Sequence, residues 1–283
     1  MKLREIYQSE KTIISFEIFP PDDEEKFKKL QNEITILNKY TPQFFSLTCG
    51  ATGKKSQAYR TVLEKLKQTF DTDIMPHITC INRSKEEIDS HISFLKSLKT
   101  ENVLALRGDY PENSNEICNY FCYANNLVEY IKTNTDFSIA VAGYPEGHLE
   151  SKTIENDIEN LKKKINSGAD AIFTQMFFEN DKFFAYLERL EKAKIQVPVI
   201  AGIMPIISFK QLEKIMPLAR VTIPKELKEK IINHSQDKDY IKNLGIEFAT
   251  KQCAELIENK VKGLHFFTLN KAFSTSKILD NIL

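Results

Sequence analysis

The chain has 283 residues, and its 39 basic and 39 acidic side chains cancel to a formal net charge of zero. That balance, with no Lys/Arg stripe interleaved with aromatics, argues against a nucleic-acid partner. No stretch approaches the ~20 apolar residues of a membrane span, and Met1-Lys2-Leu3-Arg4-Glu5 opens no apolar leader core, so a cytoplasmic protein with no membrane partner is expected. The five cysteines are scattered, which predicts reduced thiols; only Cys118 and Cys122 lie close, and with no nearby His or second Cys pair they predict no metal site.

Taken in chain order, short apolar runs alternate with longer amphipathic stretches. A strand over 13–20 is followed by a helix over 24–39, a strand over 44–50 by a helix over 57–70, and a strand over 74–80 by a helix over 84–98 that Ser84 can cap. The pattern continues with strands 102–108, 138–145 and 171–177 and helices 119–133, 152–167 and 181–193, the last with Asp181 as a starter. The seventh strand, 197–204, is apolar on both faces, as a parallel strand covered by helices must be, and Ser208 can cap a helix after it. Residues 216–262 then hold two extra helical stretches, 224–234 opening on Pro224 and 238–259, before the last strand at 263–270. Eight strand and helix units predict an α/β fold closed as a (β/α)8 TIM barrel with extra helices between strands 7 and 8, for which about 250 residues is an ordinary size. An open doubly wound sheet is the alternative, weakened by the lack of a Gly-x-Gly-x-x-Gly after the first strand. No linker composition divides the chain, so one catalytic domain over 1–283 is expected.

In such a barrel, chemistry gathers at the C-terminal strand ends. Glu17 lies in the apolar run Ile13-Ile14-Ser15-Phe16-Glu17-Ile18-Phe19-Pro20-Pro21, where loss of water would raise its pKa until it can donate a proton near neutrality. A strand-end Glu turned to solvent or paired with a Lys is the plainer alternative. The other strand ends are also polar: Thr48-Cys49-Gly50-Ala51, His77 with Thr79, Arg107-Gly108-Asp109, Tyr144 through His148, Gln175, and Asn270-Lys271. Arg107 and the run Lys162-Lys163-Lys164 can meet phosphates, and Gly50 and Gly108 allow close backbone approach. Read singly, His77 is as well explained as a core histidine, and the lysines as a solvated helix face.

These segments together resemble the 5,10-methylenetetrahydrofolate reductases. The resemblance runs from about Ser15 to Lys271, through Ser15-Phe16-Glu17-Ile18-Phe19-Pro20-Pro21, Pro76-His77-Ile78-Thr79-Cys80, Leu106-Arg107-Gly108-Asp109, Tyr144-Pro145-Glu146, Thr174-Gln175-Met176-Phe177-Phe178 and Phe267-Thr268-Leu269-Asn270. It implies a short bacterial form without the regulatory domain of eukaryotic members, and a homo-oligomer. It also implies FAD held by Thr48, Ala51, His77, Arg107, Gly108, Asp109, Ala124, Tyr144 and His148, with Asp157, Asn160, Lys163 and Lys164 near the phosphates and nucleotide end. NADH or NADPH then reduces the flavin and leaves, and 5,10-methylenetetrahydrofolate takes its place in a ping-pong scheme. By the same resemblance Glu17 protonates the folate nitrogen, Asp109 stabilises the resulting iminium cation electrostatically, and Gln175, Gln211 and Lys271, with Asp109, bind substrate. The product would supply methyl groups for methionine synthesis. Cys49 stands where many bacterial relatives carry an aromatic residue, Ile215 where a stacking Phe is found, and Lys271 in place of an Arg. Rival readings are another FAD barrel enzyme, such as a proline dehydrogenase-like oxidase, and a folate- or flavin-binding subunit without turnover of its own.

Overall fold

The computed structural model describes residues 1–49, 57–109 and 120–283, without the side chains of residues 57, 58 and 215–218. Eight parallel strands close into a barrel in sequence order: β1 (Ile13–Ile18), β2 (Phe44–Leu47), β3 (Asp73–Thr79), β4 (Asn102–Leu106), β5 (Ser138–Gly143), β6 (Ala171–Met176), β7 (Val199–Ile203) and β8 (Gly263–Phe267). The open-sheet alternative is thereby excluded. Side chains alternate across each strand. One set, including Ile14, Phe16, Phe45, Ile78, Val103, Val141, Ala201 and Phe266, packs outward into the main core against the helices. The other set faces the barrel axis, and at the N-terminal end it is apolar, with Phe44, Met75, Leu104, Ala171, Phe173 and Ile200 in one cluster.

That end is closed by a short helix, α1 (Leu3–Ile6), whose Leu3 and Ile6 join the axial cluster with Tyr7. Asn102 at the start of β4 holds it, accepting from the Leu3 N–H at 2.9 Å and donating to the Met1 carbonyl at 2.9 Å. With the N-terminal end plugged by Leu3, Ile6 and Tyr7, the described cavities of the barrel lie toward its C-terminal face.

The outer layer is α2 (Glu24–Leu37), α3 (Gln57–Thr69), α4 (Lys85–Ser97), α5 (Ala124–Asn134), α6 (Ile154–Asn166) and α7 (Asn180–Lys192), then α8 (Phe209–Leu218), α9 (Lys225–Asn233), α10 (Lys238–Glu258) and α11 (Phe273–Ile282). Ser84 caps α4 in a full capping box with Glu87. Asp181 does not cap α7; it lies inside the first turn, and Glu179 is the N-cap. The extra material between β7 and β8 also differs from expectation. Helix α10 belongs to the outer ring, packed between α7 and α11, while α8 and α9 are the additions. They bury Leu212, Leu227 and Ile231 with Met176, Met204, Ile206 and Ile241 in a separate apolar cluster beside the ends of β6 and β7. Gly245 lets α10 approach this loop, since a Cβ there would sit 1.7 Å from the Ile206 carbonyl oxygen. Cys49, Cys80 and Cys253 are buried free thiols, whereas Cys122 is in a disulfide, so the reduced-thiol expectation does not hold for it. Cys118 lies outside the described residues. Among the described residues no helix is long and apolar enough to cross a membrane.

Candidate active site

Above the apolar floor the axial positions turn polar. Ser15 and Ser46 flank His265, whose Nδ1 is 2.8 Å from the Ser15 Oγ and whose Nε2 is 3.2 Å from the Ser46 Oγ. One step higher, Glu17 pairs in register with Ser46 on one side and Phe267 on the other, and is 8% exposed. Its Oε2 lies 3.7 Å from the His77 Nε2, beyond hydrogen-bond length, and that nitrogen is buried with no partner. Burial pushes the Glu17 carboxyl up to about 8 and the His77 imidazole down to about 3, so near neutrality Glu17 holds the proton and His77 is uncharged. The contact is therefore not an ion pair at that pH. Burial also holds His265 down at about 3. The strand-end Glu is thus neither solvent-facing nor paired with a lysine.

Thr48 follows β2, with its N–H donating to the Ile18 carbonyl and its Oγ1 buried without a partner. Thr79, two residues up β3 from His77, lies under Gly108, which has φ +85°; a Cβ on Gly108 would press on Ile81 and Thr79 at 3.0–3.3 Å, so the turn after β4 requires glycine. Above Thr79 a cavity of about 290 Å³ is bounded by Arg107, Gly108, Asp109, Tyr144 and Gln175. Asp109 is exposed at its edge, and the Gln175 Oε1 accepts from the Met176 N–H at 2.9 Å.

A larger cleft of about 710 Å³ continues from Arg107 and Tyr144 between α5 and α6. Ala124 lines it at the first residue of α5, and His148, Asp157, Asn160, Lys163 and Lys164 line it from the other side. The Lys164 Nζ donates to the Ala142 carbonyl at 2.6 Å and lies 5.9 Å from the Tyr144 ring centroid; burial pulls its pKa down to about 8, against the opposing pull of Asp157. Burial raises the Asp157 carboxyl, which accepts from the Ser151 hydroxyl. His148 packs edge-on against Tyr144 at 4.7 Å, and the Lys163 Nζ reaches the Asn160 Oδ1 at 3.1 Å. Arg107 forms a two-pronged pair with Glu150, NH1 to Oε2 at 2.5 Å and NH2 to Oε1 at 2.6 Å. This guanidinium, expected to meet a phosphate, is held by a carboxylate of the same cleft.

Eleven of the sequence-selected residues therefore line two adjoining cavities at one face, with Glu17 and His77 in the barrel mouth. Gln211 stands apart: its Oε1 accepts from the Ile207 N–H and its Nε2 donates to the Pro205 carbonyl, so both ends of the amide brace the loop after β7. Lys271 is exposed on the loop after β8. Ala51 lies outside the described residues, as does the side chain of Ile215. Two features escaped the sequence reading: His265 was visible as a polar residue inside the apolar run Gly263–Phe267, whereas Glu150 carries no signal in the sequence. Thr268 and Asn270 were noted at the end of the last strand, but not their bonds to Glu17 and Phe19.

The methylenetetrahydrofolate reductase family model matches residues 2–283. Methylenetetrahydrofolate reductase 1 of Schizosaccharomyces pombe is 33% identical over 278 residues, covering 96% of this chain and 46% of the relative. The 5,10-methylenetetrahydrofolate reductase of Escherichia coli K12 is 33% identical over 259 residues, covering 92% and 86%, and that of Buchnera aphidicola subsp. Baizongia pistaciae is 35% identical over 276 residues, covering 96% and 92%. The chain spans about half the length of the fungal and plant relatives and most of the length of the bacterial ones. Among solved structures, a Clostridium thermocellum protein that binds two copies of 5-methyl-5,6,7,8-tetrahydrofolic acid superposes with a TM-score of 0.68 at 15% identity, covering 100% of this chain and 98% of that one, a likeness of fold. A barrel whose polar mouth holds a protonated buried acid, matched end to end by one family, leads to a single conclusion: the chain belongs to the methylenetetrahydrofolate reductase family.

Proposed function

We propose that the protein reduces 5,10-methylenetetrahydrofolate to 5-methyltetrahydrofolate with NADH or NADPH through bound FAD, supplying methyl groups for methionine synthesis. The observation that carries this reading is Glu17, a carboxyl buried on the barrel axis near the C-terminal strand ends, 3.7 Å from the His77 Nε2, where burial raises its pKa to about 8. The cleft fits FAD in chemistry: two lysines, the N-terminus of α5 and an aromatic at its inner end suit an anionic dinucleotide, and the orphaned His77 Nε2 and Thr48 Oγ1 await a polar ligand. When bound, FAD supplies a two-electron relay between nicotinamide and folate.

In this reading Lys163, Lys164 and Asn160 hold the nucleotide end, while Tyr144 and His148 wall the flavin side. Gly108 permits close approach of the backbone, and Thr48, His77 and Arg107 meet the isoalloxazine region. Glu17 gives its proton to the folate amine that leaves the methylene carbon, which opens the five-membered ring and leaves a cationic iminium on the other nitrogen. Asp109, at the cavity edge, stabilises that cation, and Gln175 orients folate and nicotinamide in turn. One NAD(P)H and one proton are consumed for each methyl group made. Lys271 attracts the acidic tail of the folate as a point charge. Gln211 bears on substrate by shaping the loop after β7.

Spectra of the purified chain test this. A flavin spectrum that is bleached anaerobically by NADH or NADPH and restored by methylenetetrahydrofolate supports it. Bleaching by proline instead, or restoration by neither, sends the protein to one of the rival classes.

A further inference from the structure

The ladder between β1 and β8 ends at Glu17 and Phe267. Beyond it the β8 chain turns away through two consecutive left-handed residues, Leu269 at φ +51° and Asn270 at φ +57°. Side chains then take over from the backbone. The Thr268 Oγ1 donates to the Glu17 carbonyl at 2.6 Å and accepts from the Asn270 N–H at 3.2 Å. The Asn270 Oδ1 accepts from the Phe19 N–H at 2.8 Å, and its Nδ2 donates to the Phe19 carbonyl at 2.9 Å. Pro20 and Pro21 come next and have no N–H, so Phe19 is the last donor on this segment before the turn into α2. Asparagine suits the position twice over. It tolerates the left-handed backbone, and its amide offers one donor and one acceptor in the spacing of a peptide group.

We propose that Asn270, acting with Thr268, is a positioning residue that fixes the seat of Glu17 by pinning the β1 segment on both sides of its last residue, Ile18. The pins sit at residues 17 and 19, so the strand end cannot swing outward and admit water to the carboxyl. Among the described residues, the groups beside Glu17 are His77 from β3, 3.7 Å away, and its register partners Ser46 on β2 and Phe267 on β8; His77, and His265 one layer below, are held uncharged by burial. None of them supplies a charge that would hold the carboxyl in place, which leaves the task to the backbone clamp.

The consequence for turnover rests on the reading of Glu17 as the folate acid, whereas the effect on its seat does not, and the experiment separates them. The carboxyl band of Glu17 is followed by difference infrared spectroscopy in the purified full chain, assigned by its loss in Glu17→Gln. In the parent it should titrate near 8. Asn270→Gly keeps the positive φ and removes the amide, and its midpoint falls by at least one pH unit. Asn270→Asp keeps the acceptor for the Phe19 N–H and falls by less. At pH 7, reoxidation of the flavin by methylenetetrahydrofolate slows at least tenfold in Asn270→Gly, while its reduction by NADH stays within twofold. An unchanged midpoint in a folded Asn270→Gly overturns the proposal, as does equal slowing of both half-reactions. Should Asn270→Gly fail to fold, Asn270→Asp decides on the same midpoint. A shifted midpoint in a chain that folate never reoxidises keeps the clamp and refutes the proposed function.

Discussion

Replacing Glu17 with Gln separates its chemical role from its structural one. Burial lifts the carboxyl to about 8, against an ordinary 4.5, so at pH 7 about nine-tenths of the folded molecules carry the proton. The folded chain therefore binds more protons than the unfolded chain between these values. Its stability contribution is complete below pH 4.5, declines as pH rises through that window, and is lost above 8. Keeping the carboxylate ionised in its seat above pH 9 costs on the order of 4–5 kcal/mol relative to water. Glutamine keeps the shape and has no proton to lose, so Glu17→Gln should show a flatter dependence of Tm on pH and exceed the parent on the alkaline side. The same change removes the acid. In anaerobic stopped-flow, reduction of the flavin by NADH should proceed at a substantial rate, while reoxidation by methylenetetrahydrofolate should fall roughly 10²–10⁴-fold, the usual contribution of a general acid. In the parent, reoxidation should weaken as pH rises through about 8, and that limb should vanish in the variant. Near-parental reoxidation by Glu17→Gln would refute the acid role, and identical alkaline stability would refute the burial argument.

Three further perturbations test other parts of the site and fold. Asp109→Asn should raise the flavin reduction potential and slow the folate half-reaction more than the nicotinamide one, because the charge at the edge of the inner cavity is lost; equal slowing of both contradicts it. Glu150→Gln removes the carboxylate that occupies Arg107, so FAD should bind the apoprotein several-fold faster, read by quenching of flavin fluorescence; unchanged association means that Arg107 does not take part in capture. Gly245→Ala should lower the urea-unfolding free energy by at least about 2 kcal/mol, since the new methyl meets a backbone carbonyl and only movement of α10 or the β7 loop can relieve it; a loss under about 0.5 kcal/mol would mean the two elements part freely.

The barrel was legible because each strand is buried on both faces and each helix on one, and these periodicities are local properties of the chain. Strand ends shifted by only a few residues, as at β1, which stops at Ile18 where Pro20 and Pro21 cannot continue a ladder. What escaped depends on contacts far apart in sequence. Helix α1 is too short to show a period, and it exists because Leu3, Ile6 and Tyr7 fill the barrel floor. The start of helix α8 was legible from Ser208, whose Oγ accepts from the Gln211 N–H, but its length was not, because it contains Pro217 and its place is secured by Leu212 in the apolar cluster beside β7. In the site, Glu17 announced itself as an acid in an apolar run, but nothing near Arg107 indicates that Glu150, 43 residues on, will claim its guanidinium. Gln211 is expected by resemblance to bind substrate, and what the sequence does not show is that its amide also braces its own loop, through the Pro205 carbonyl six residues before it.

The axial side chains explain why the reactive layer lies where it does. Along β1 the inward positions run Ile13, Ser15, Glu17; along β3, Met75, His77, Thr79; along β8, Gly263, His265, Phe267. The lowest layer is plugged by Leu3, Ile6 and Tyr7 and is apolar apart from the buried Tyr7 hydroxyl. In the middle layer the polar groups answer one another, with His265 engaged at both ring nitrogens by Ser15 and Ser46. In the top layer that reciprocity stops: the His77 Nε2 and the Thr48 Oγ1 are buried without partners. A buried polar atom left unpaired costs about 1–3 kcal/mol, and a fold able to satisfy His265 one layer below could have satisfied these too. In the proposed reading their partners are the cofactor and substrate, which would make this layer, and not the better-bonded one beneath it, the surface that a ligand completes.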